Sequence, residues 1–329
     1  MLPADATLFP VYELVCGAGM LNEISLLAAT VLMPLLFGVW LATGQYRALF
    51  SVTGRISDIL CVAAIAAILV FSLLFVPWVS GSYWLRPLAA LLLLVGIGRW
   101  VMGGFPTIVG DWTWLTRLGQ GLLIVIGGAF GAISLFALKG MIPPPATVDL
   151  HFPLKDRTFV IGQGGRSIVV NAHAASEAQQ YAVDIVAMNI LGRNKSGIGP
   201  VSNDKYAIWG AEVVAPCEGR IAWSRDGLPD AVGPQSDPDT PAGNAVAIEC
   251  GAITVFLAHL MMDSLEVETG DMVKPGDPIG LVGNSGNTSE PHLHIHAENG
   301  EFDGELSDNQ GIAIVFDGDF PVRNDLFLN

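Results

Sequence analysis

Residues Gly283–His296 read GNSGNTSEPHLHIH, and this stretch decides how the second half of the 329-residue chain is read. Turn-forming Gly, Asn and Ser give way to three histidines two apart, His292, His294 and His296. In a β-strand side chains repeat with period two, so all three imidazoles share one face. Imidazole is the commonest protein ligand for transition metals and the usual acid or base near neutral pH. The triplet therefore reads as a site, against the plainer alternative of a polar face on an exposed strand. The chain holds six histidines; the others are His151, His173 and His259, and none precedes residue 151.

Working outward, short strands separated by turn residues fill the remainder of this half. Thr158–Ile161, Ser167–Asn171, Ala182–Ala187, Ala245–Glu249, Thr254–Ala258, Ile279–Val282, His292–Ala297 and Ile312–Phe316 are β-rich or alternating. Gly and Pro clusters at Gly162–Gly165, Lys274–Gly276 and Gly283–Gly286 punctuate them. No segment sustains a helical period, and Ser196–Ser202 and Asp226–Gly243 read as surface loops. An all-β domain over residues 146–329 is expected. It carries 10 of the 16 Lys and Arg but 26 of the 31 Asp and Glu, a formal charge of −16. Such acidity excludes nucleic acid as a partner. Cys217 and Cys250 both lie here, free to pair in an oxidising compartment or to stay as buried thiols.

Residues 1–145 are a different material. Ile24–Thr43, Ile59–Val79 and Leu118–Leu138 are uncharged and reach the roughly 20 residues needed to cross a bilayer. Leu85–Phe105 is a weaker fourth stretch, bracketed by Arg86 and Arg99. Gly127 and Gly131 supply a small-xxx-small spacing for close helix packing. Trp40, Trp78, Trp84, Trp100, Trp112 and Trp114 fall near the ends of these runs, as interfacial belts require. A four-helix transmembrane region is therefore expected. Arg47, Arg55, Arg99 and Arg117 mark the cytoplasmic loops by the positive-inside rule, which puts both termini outside the cytoplasm. Residues 1–22 lack the basic start of a signal peptide. Pro143–Pro145 reads as a short stiff link.

Three separated pieces then matter together: Gln180-Tyr181-Ala182-Val183-Asp184, Ala258-His259-Leu260 and His292-Leu293-His294, with Gly270–Gly280 (GDMVKPGDPIG) between the last two. From Gln180 to Ala297 the chain resembles the lysostaphin-type zinc metallopeptidases, or LytM domains, which cut peptide bonds of bacterial peptidoglycan. Their pattern runs H-x-x-x-D, then HL, then G-D-x-V-x-x-G-x-x-I-G, then G-N-S/T-G and P-H-L-H. The resemblance implies a duplicated-hybrid-motif-like β fold and a Zn²⁺ cofactor. It also implies peptidoglycan peptides as substrate or ligand. The apolar stretches and basic loops read above put this domain outside the cytoplasm, on a multi-pass cytoplasmic-membrane anchor. Asp184 and His294 match metal ligands of the family; His259 and His292 match its catalytic histidines. Zinc with three protein ligands leaves a position for water, and two unligated imidazoles suit proton transfer around it.

One position departs. Gln180 stands where the family has its first histidine ligand, and an amide oxygen is a weaker zinc donor than imidazole. His173, seven residues upstream, is the substitute expected first; Gln180 itself or His296 is the alternative. Leu257 stands where the family often has Tyr. Two functions follow from the resemblance: a membrane-anchored zinc endopeptidase, or a degenerate domain that binds cell wall or regulates a partner hydrolase. The apolar stretches hold almost no ionisable residue except Arg99, so an ion path is not indicated.

Overall fold

The structure is a computed structural model that describes residues 25, 27–50, 52, 54–103, 113–199, 201–232, 237–304 and 309–328. The expectations for residues 1–22 and for Trp112 lie outside them. The described residues divide into two compact units, Leu26–Lys139 and one beginning at Gly140.

The first unit is helical. Among the described residues two helices, Arg55–Phe75 and Trp114–Gly140, are long and apolar enough to cross a bilayer. This corrects the expectation of four. The first apolar stretch yields five residues of π-helix, Ala28–Leu32, running into eleven of α-helix, Met33–Thr43. That is a rise of about 24 Å before Gly44 adopts a left-handed φ of 76° and ends it. The Leu85–Val101 helix has 17 residues; its rise of about 26 Å also falls short of a core about 30 Å thick. The small-xxx-small spacing has a clear packing role. A Cβ on Gly127 would lie 2.5 Å from Cα of Ala64, so the Trp114–Gly140 and Arg55–Phe75 helices meet backbone to backbone there. Asp58, in the first turn of the Arg55–Phe75 helix, accepts from Tyr46 Oη at 2.7 Å, Arg47 Nε at 2.8 Å and Trp100 Nε1 at 2.9 Å.

The second unit is built from strands β1 (Thr147–Leu150), β2 (Thr158–Gln163), β3 (Val183–Ala187), β4 (Glu212–Val214), β5 (Gly219–Arg225) and β6 (Asn244–Cys250). They continue with β7 (Ile253–Leu260), β8 (Met272–Val273), β9 (Pro278–Leu281), β10 (Leu293–Asn299), β11 (Gly311–Phe316) and β12 (Leu326–Leu328). Among the described residues ten of these form one sheet, along the path β12-β2-β3-β10-β7-β6-β5-β8 with β11 also on β10 and β1 on β11. The β1–β11 pair is parallel and the other pairings are antiparallel. Strands β4 and β9 make a second, two-stranded sheet. The unit is thus mostly antiparallel β, as the strand pattern predicts.

Alternation along the central strands separates core from site. Leu293, Ile295 and Ala297 of β10, Val183, Ile185 and Ala187 of β3, and Val255 and Leu257 of β7 join one apolar cluster. Their intervening neighbours face the other way. Ser167–Asn171 is not the expected strand. Ser167 O accepts from the amides of Val170 and Asn171, and this turn feeds a 3₁₀ helix at Ala172–Ala175. Cys217 and Cys250 are joined in a disulfide, with Cα atoms 6.1 Å apart. It ties the segment just before β5 to the end of β6.

Candidate active site

The register of the central strands assembles the site. Asp184 on β3 and Ala258 on β7 flank His294 of β10 directly. The Asp184 carboxylate and the His294 ring therefore share one face, with His294 Nδ1 2.9 Å from Asp184 Oδ1. His173 arrives from the 3₁₀ helix. Asn171 caps that helix, its side-chain oxygen accepting from the His173 amide. The buried Asn171 amide group in turn donates to Gly165 O at 2.8 Å and to Ala182 O at 2.9 Å. The second of these bonds anchors the turn two residues before Asp184. His173 Nε2 lies 3.1 and 3.0 Å from the two Asp184 oxygens. One donor atom from each of His173, Asp184 and His294 falls within 4.8 Å of the others, a group able to hold a metal ion.

His259 reaches the same face by breaking the alternation of β7. Between Asn244 and Val246 the β6–β7 register shifts, so that Ala258 and His259 oppose a single residue. His259 has φ +63°. A β-bulge of this kind re-aims a side chain, and here it turns the imidazole away from the core. Its ring sits 4.7 Å from His292 and 5.8 Å from His294. The GNSG loop receives it. Gly286 has φ +84°, and a Cβ there would lie 2.4 Å from Gly243 N. Ser285 Oγ accepts from the Asn244 amide and donates to Leu260 O at 2.7 Å. That leaves the Ser285 carbonyl 2.9 Å from His259 Nδ1.

Both outer histidines present the same nitrogen. A carbonyl only accepts, so His259 Nδ1 carries the proton donated to Ser285 O, and His292 Nδ1 donates to Glu290 O at 2.8 Å. When neutral, each ring then keeps its Nε2 lone pair for another partner. His292 Nε2 lies 3.6 Å from Asp184 Oδ1.

Electrostatics favour the ligating state of Asp184 and His294. Burial opposes ionisation of Asp184, yet the charge of His292 and the hydrogen bonds from His173 and His294 outweigh it and hold the carboxyl well below its usual range. Burial pushes His294 down to about 4, against the pull of Asp184. Burial, with the repulsion of His292 and His294, also drives His259 well below an ordinary imidazole. For His173 burial opposes the charged form, but Asp184 more than compensates and raises it.

The remaining candidates lie outside the His173, Asp184 and His294 group, though His296 lines the same cavity as His173 and His294. Gln180 lies in the turn before β3, and its amide donates to Glu177 O at 3.0 Å. His296 stands behind His294 rather than beside Asp184, with its Nδ1 2.9 Å from His294 Nε2. His151 is exposed, in the segment after β1. His173, Ala242, Phe256, His259 and His294 help line a cavity of about 220 Å³ on this face. Sequence reasoning missed Asn171, the Ser285 and Glu290 carbonyls, and Glu298. An Asn two residues before His173 is a readable capping signal, and Glu298 continues the period-two face of His294 and His296. The carbonyls carry no side-chain signal.

A model of peptidase family M23 matches residues 204–303. The chain carries an M23 peptidase domain. The matched span includes His259, His292 and His294; His173 and Asp184 precede it. The M23 domain is similar to a zinc-containing peptidase from Vibrio cholerae, at 26% identity over 33% of this chain and 28% of that one, TM-score 0.22. It is also similar to lysostaphin, at 22% identity over 39% and 40% of the two chains, TM-score 0.24. A third similar structure is the SpoIIQ–SpoIIIAH pore-forming complex, at 14% identity over 50% and 87%, TM-score 0.31. The chain thus spans less than half the length of the first two structures. No curated protein matches it.

Proposed function

We propose that the chain is a membrane-anchored zinc endopeptidase acting on peptidoglycan peptides outside the cytoplasm. The observation that carries this reading is the convergence of His173, Asp184 and His294 donors within 4.8 Å, beside two histidines outside that group. Two imidazoles and a carboxylate suit zinc, whose catalytic sites take three protein ligands and keep one position open. His173, Asp184 and His294 would hold the ion. Bound there, zinc would supply Lewis acidity toward a water or a peptide carbonyl.

The chain's own groups account for the proton transfers. His259 and His292 each have Nδ1 tied to a main-chain carbonyl, which orients the ring and leaves Nε2 as the working atom. The depressed affinity of His259 for protons keeps it neutral at physiological pH, able to accept a proton from an attacking water. His292, whose Nε2 lies 3.6 Å from Asp184 Oδ1, is placed to return a proton to the leaving amine. The His/Asp/His group also favours hydrolysis over a degenerate domain, because His173 offers the imidazole that Gln180 does not.

The helical unit would serve as the anchor. Arg117 lies near the start of the second long helix, Trp114–Gly140, and the positive-inside bias would assign that end to the cytoplasm. The M23 domain follows the far end of the second helix. Full-length protein in mild detergent should carry about one zinc per chain and release peptides from purified sacculi. His294→Ala should abolish both. Absence of zinc together with intact sacculi would refute the reading; full cellular function in His294→Ala would favour the regulatory one.

A further inference from the structure

Three buried polar side chains run in a line along the site face of β10. His294, His296 and Glu298 are 4%, 5% and 2% exposed. His294 Nε2 lies 2.9 Å from His296 Nδ1, and His296 Nε2 lies 3.1 Å from Glu298 Oε1. Phe256, the cross-strand neighbour of His296, stacks on its ring at 4.6 Å with planes 6° apart and holds its orientation.

We infer that Glu298 and His296 are positioning residues that fix the tautomer and aim of His294 as a metal ligand. The inference rests on the zinc reading above. An ionised carboxylate only accepts hydrogen bonds, so the His296 proton belongs on Nε2, pointing to Glu298. This leaves His296 Nδ1 as an acceptor, which places the His294 proton on Nε2. In the metal-free site His294 Nδ1 shares a proton with Asp184 Oδ1 at 2.9 Å; with the ion in place of that proton, Nδ1 would be a bare lone pair. Two neutral imidazoles then carry two ring protons between them, and the two contacts on the Glu298 side use both. The unprotonated end of the loaded site is the one turned toward the metal group, and the Glu298 carboxylate sets that polarity. Metal-ligating histidines are commonly tuned by such a partner on the second nitrogen; here the partner is itself a histidine, and the carboxylate stands one residue further along the face.

Zinc affinity separates this role from packing. Measurements use full-length protein in mild detergent, titrated against a chelator of known zinc affinity. His296→Phe keeps an aromatic ring against Phe256 but offers no acceptor to His294 Nε2. His296→Asn leaves a smaller side chain but places an amide oxygen near the position of Nδ1. The expected result is a loss of roughly 10–100-fold in zinc affinity for His296→Phe, with His296→Asn within about threefold of wild type. Glu298→Gln, which keeps shape and loses charge, should lose roughly 10-fold. Melting of the metal-free variants reports whether each still folds. Wild-type affinity in His296→Phe and Glu298→Gln, or equal losses in His296→Phe and His296→Asn, overturns the inference while the zinc reading stands. A wild-type chain that binds no zinc overturns both.

Discussion

Replacing His173 with Ala removes an imidazole whose Nε2 lies 3.0 Å from Asp184 Oδ2 and takes one of three donors from the proposed zinc site. Structural zinc sites release roughly 10–16 kcal/mol on binding. Shared over a four-coordinate ion, that is about 3–4 kcal/mol per ligand, or about 10²–10³ in Kd. Chelator competition on full-length protein should find a loss of that size in His173→Ala. Gln180→Ala should bind zinc as wild type does, because the Gln180 amide serves its own turn. The pH dependence adds a second signature. In the metal-free protein burial disfavours the His173 cation, but the Asp184 carboxylate raises its pKa above the ordinary 6.5. Below that raised value a proton competes with zinc for Nε2, and wild-type affinity should fall about tenfold per pH unit. His173→Ala should lack that component of the slope. Near-normal zinc affinity in His173→Ala, with the loss appearing in Gln180→Ala, would refute the assignment.

Other expectations concern stability and the outer histidines. His259 sits at φ +63°, where a residue with a Cβ costs about 1–2 kcal/mol. His259→Gly should therefore be more stable to urea than His259→Ala by about 1 kcal/mol, the reverse of the usual order in a strand, and both should bind zinc and lack peptidase activity. Greater stability in the Ala variant would count against the bulge. Cutting the Cys217–Cys250 bond, which closes a loop with a sequence separation of 33, should cost about 3–4 kcal/mol in the chain-entropy model; equal unfolding midpoints for the double-serine variant and wild type would contradict this. Metal-free wild type should exceed His173→Ala in stability most clearly below about pH 6.5. Because the folded pKa of His173 is raised, that advantage should shrink as pH rises through it; a gap that widens instead would reverse the sign assigned to the His173–Asp184 pair.

Read alone, the sequence already held the β10 face. Period-two spacing puts His292, His294 and His296 on one side whatever the rest of the chain does, because alternation is a property of the extended backbone. The same local physics made the outer domain β-rich, while composition marked the acidic second half. Apolar length suggested four membrane crossings, but helix ends are set by local backbone geometry. The left-handed Gly44 ends one stretch at Thr43, and among the described residues two helices reach spanning length. Which residues meet around His294 was a tertiary decision. Asp184 is 110 positions from His294 in the chain and comes opposite it only through β3–β10 register. His259 belongs to the core side by alternation and joins the site because a bulge adds a residue to β7. Between Gln180 and His173, distance in sequence could not choose. The Asn171-capped turn carries His173 back onto Asp184, and that long-range fit of three donors, invisible to any local pattern, is what makes the face a candidate metal site.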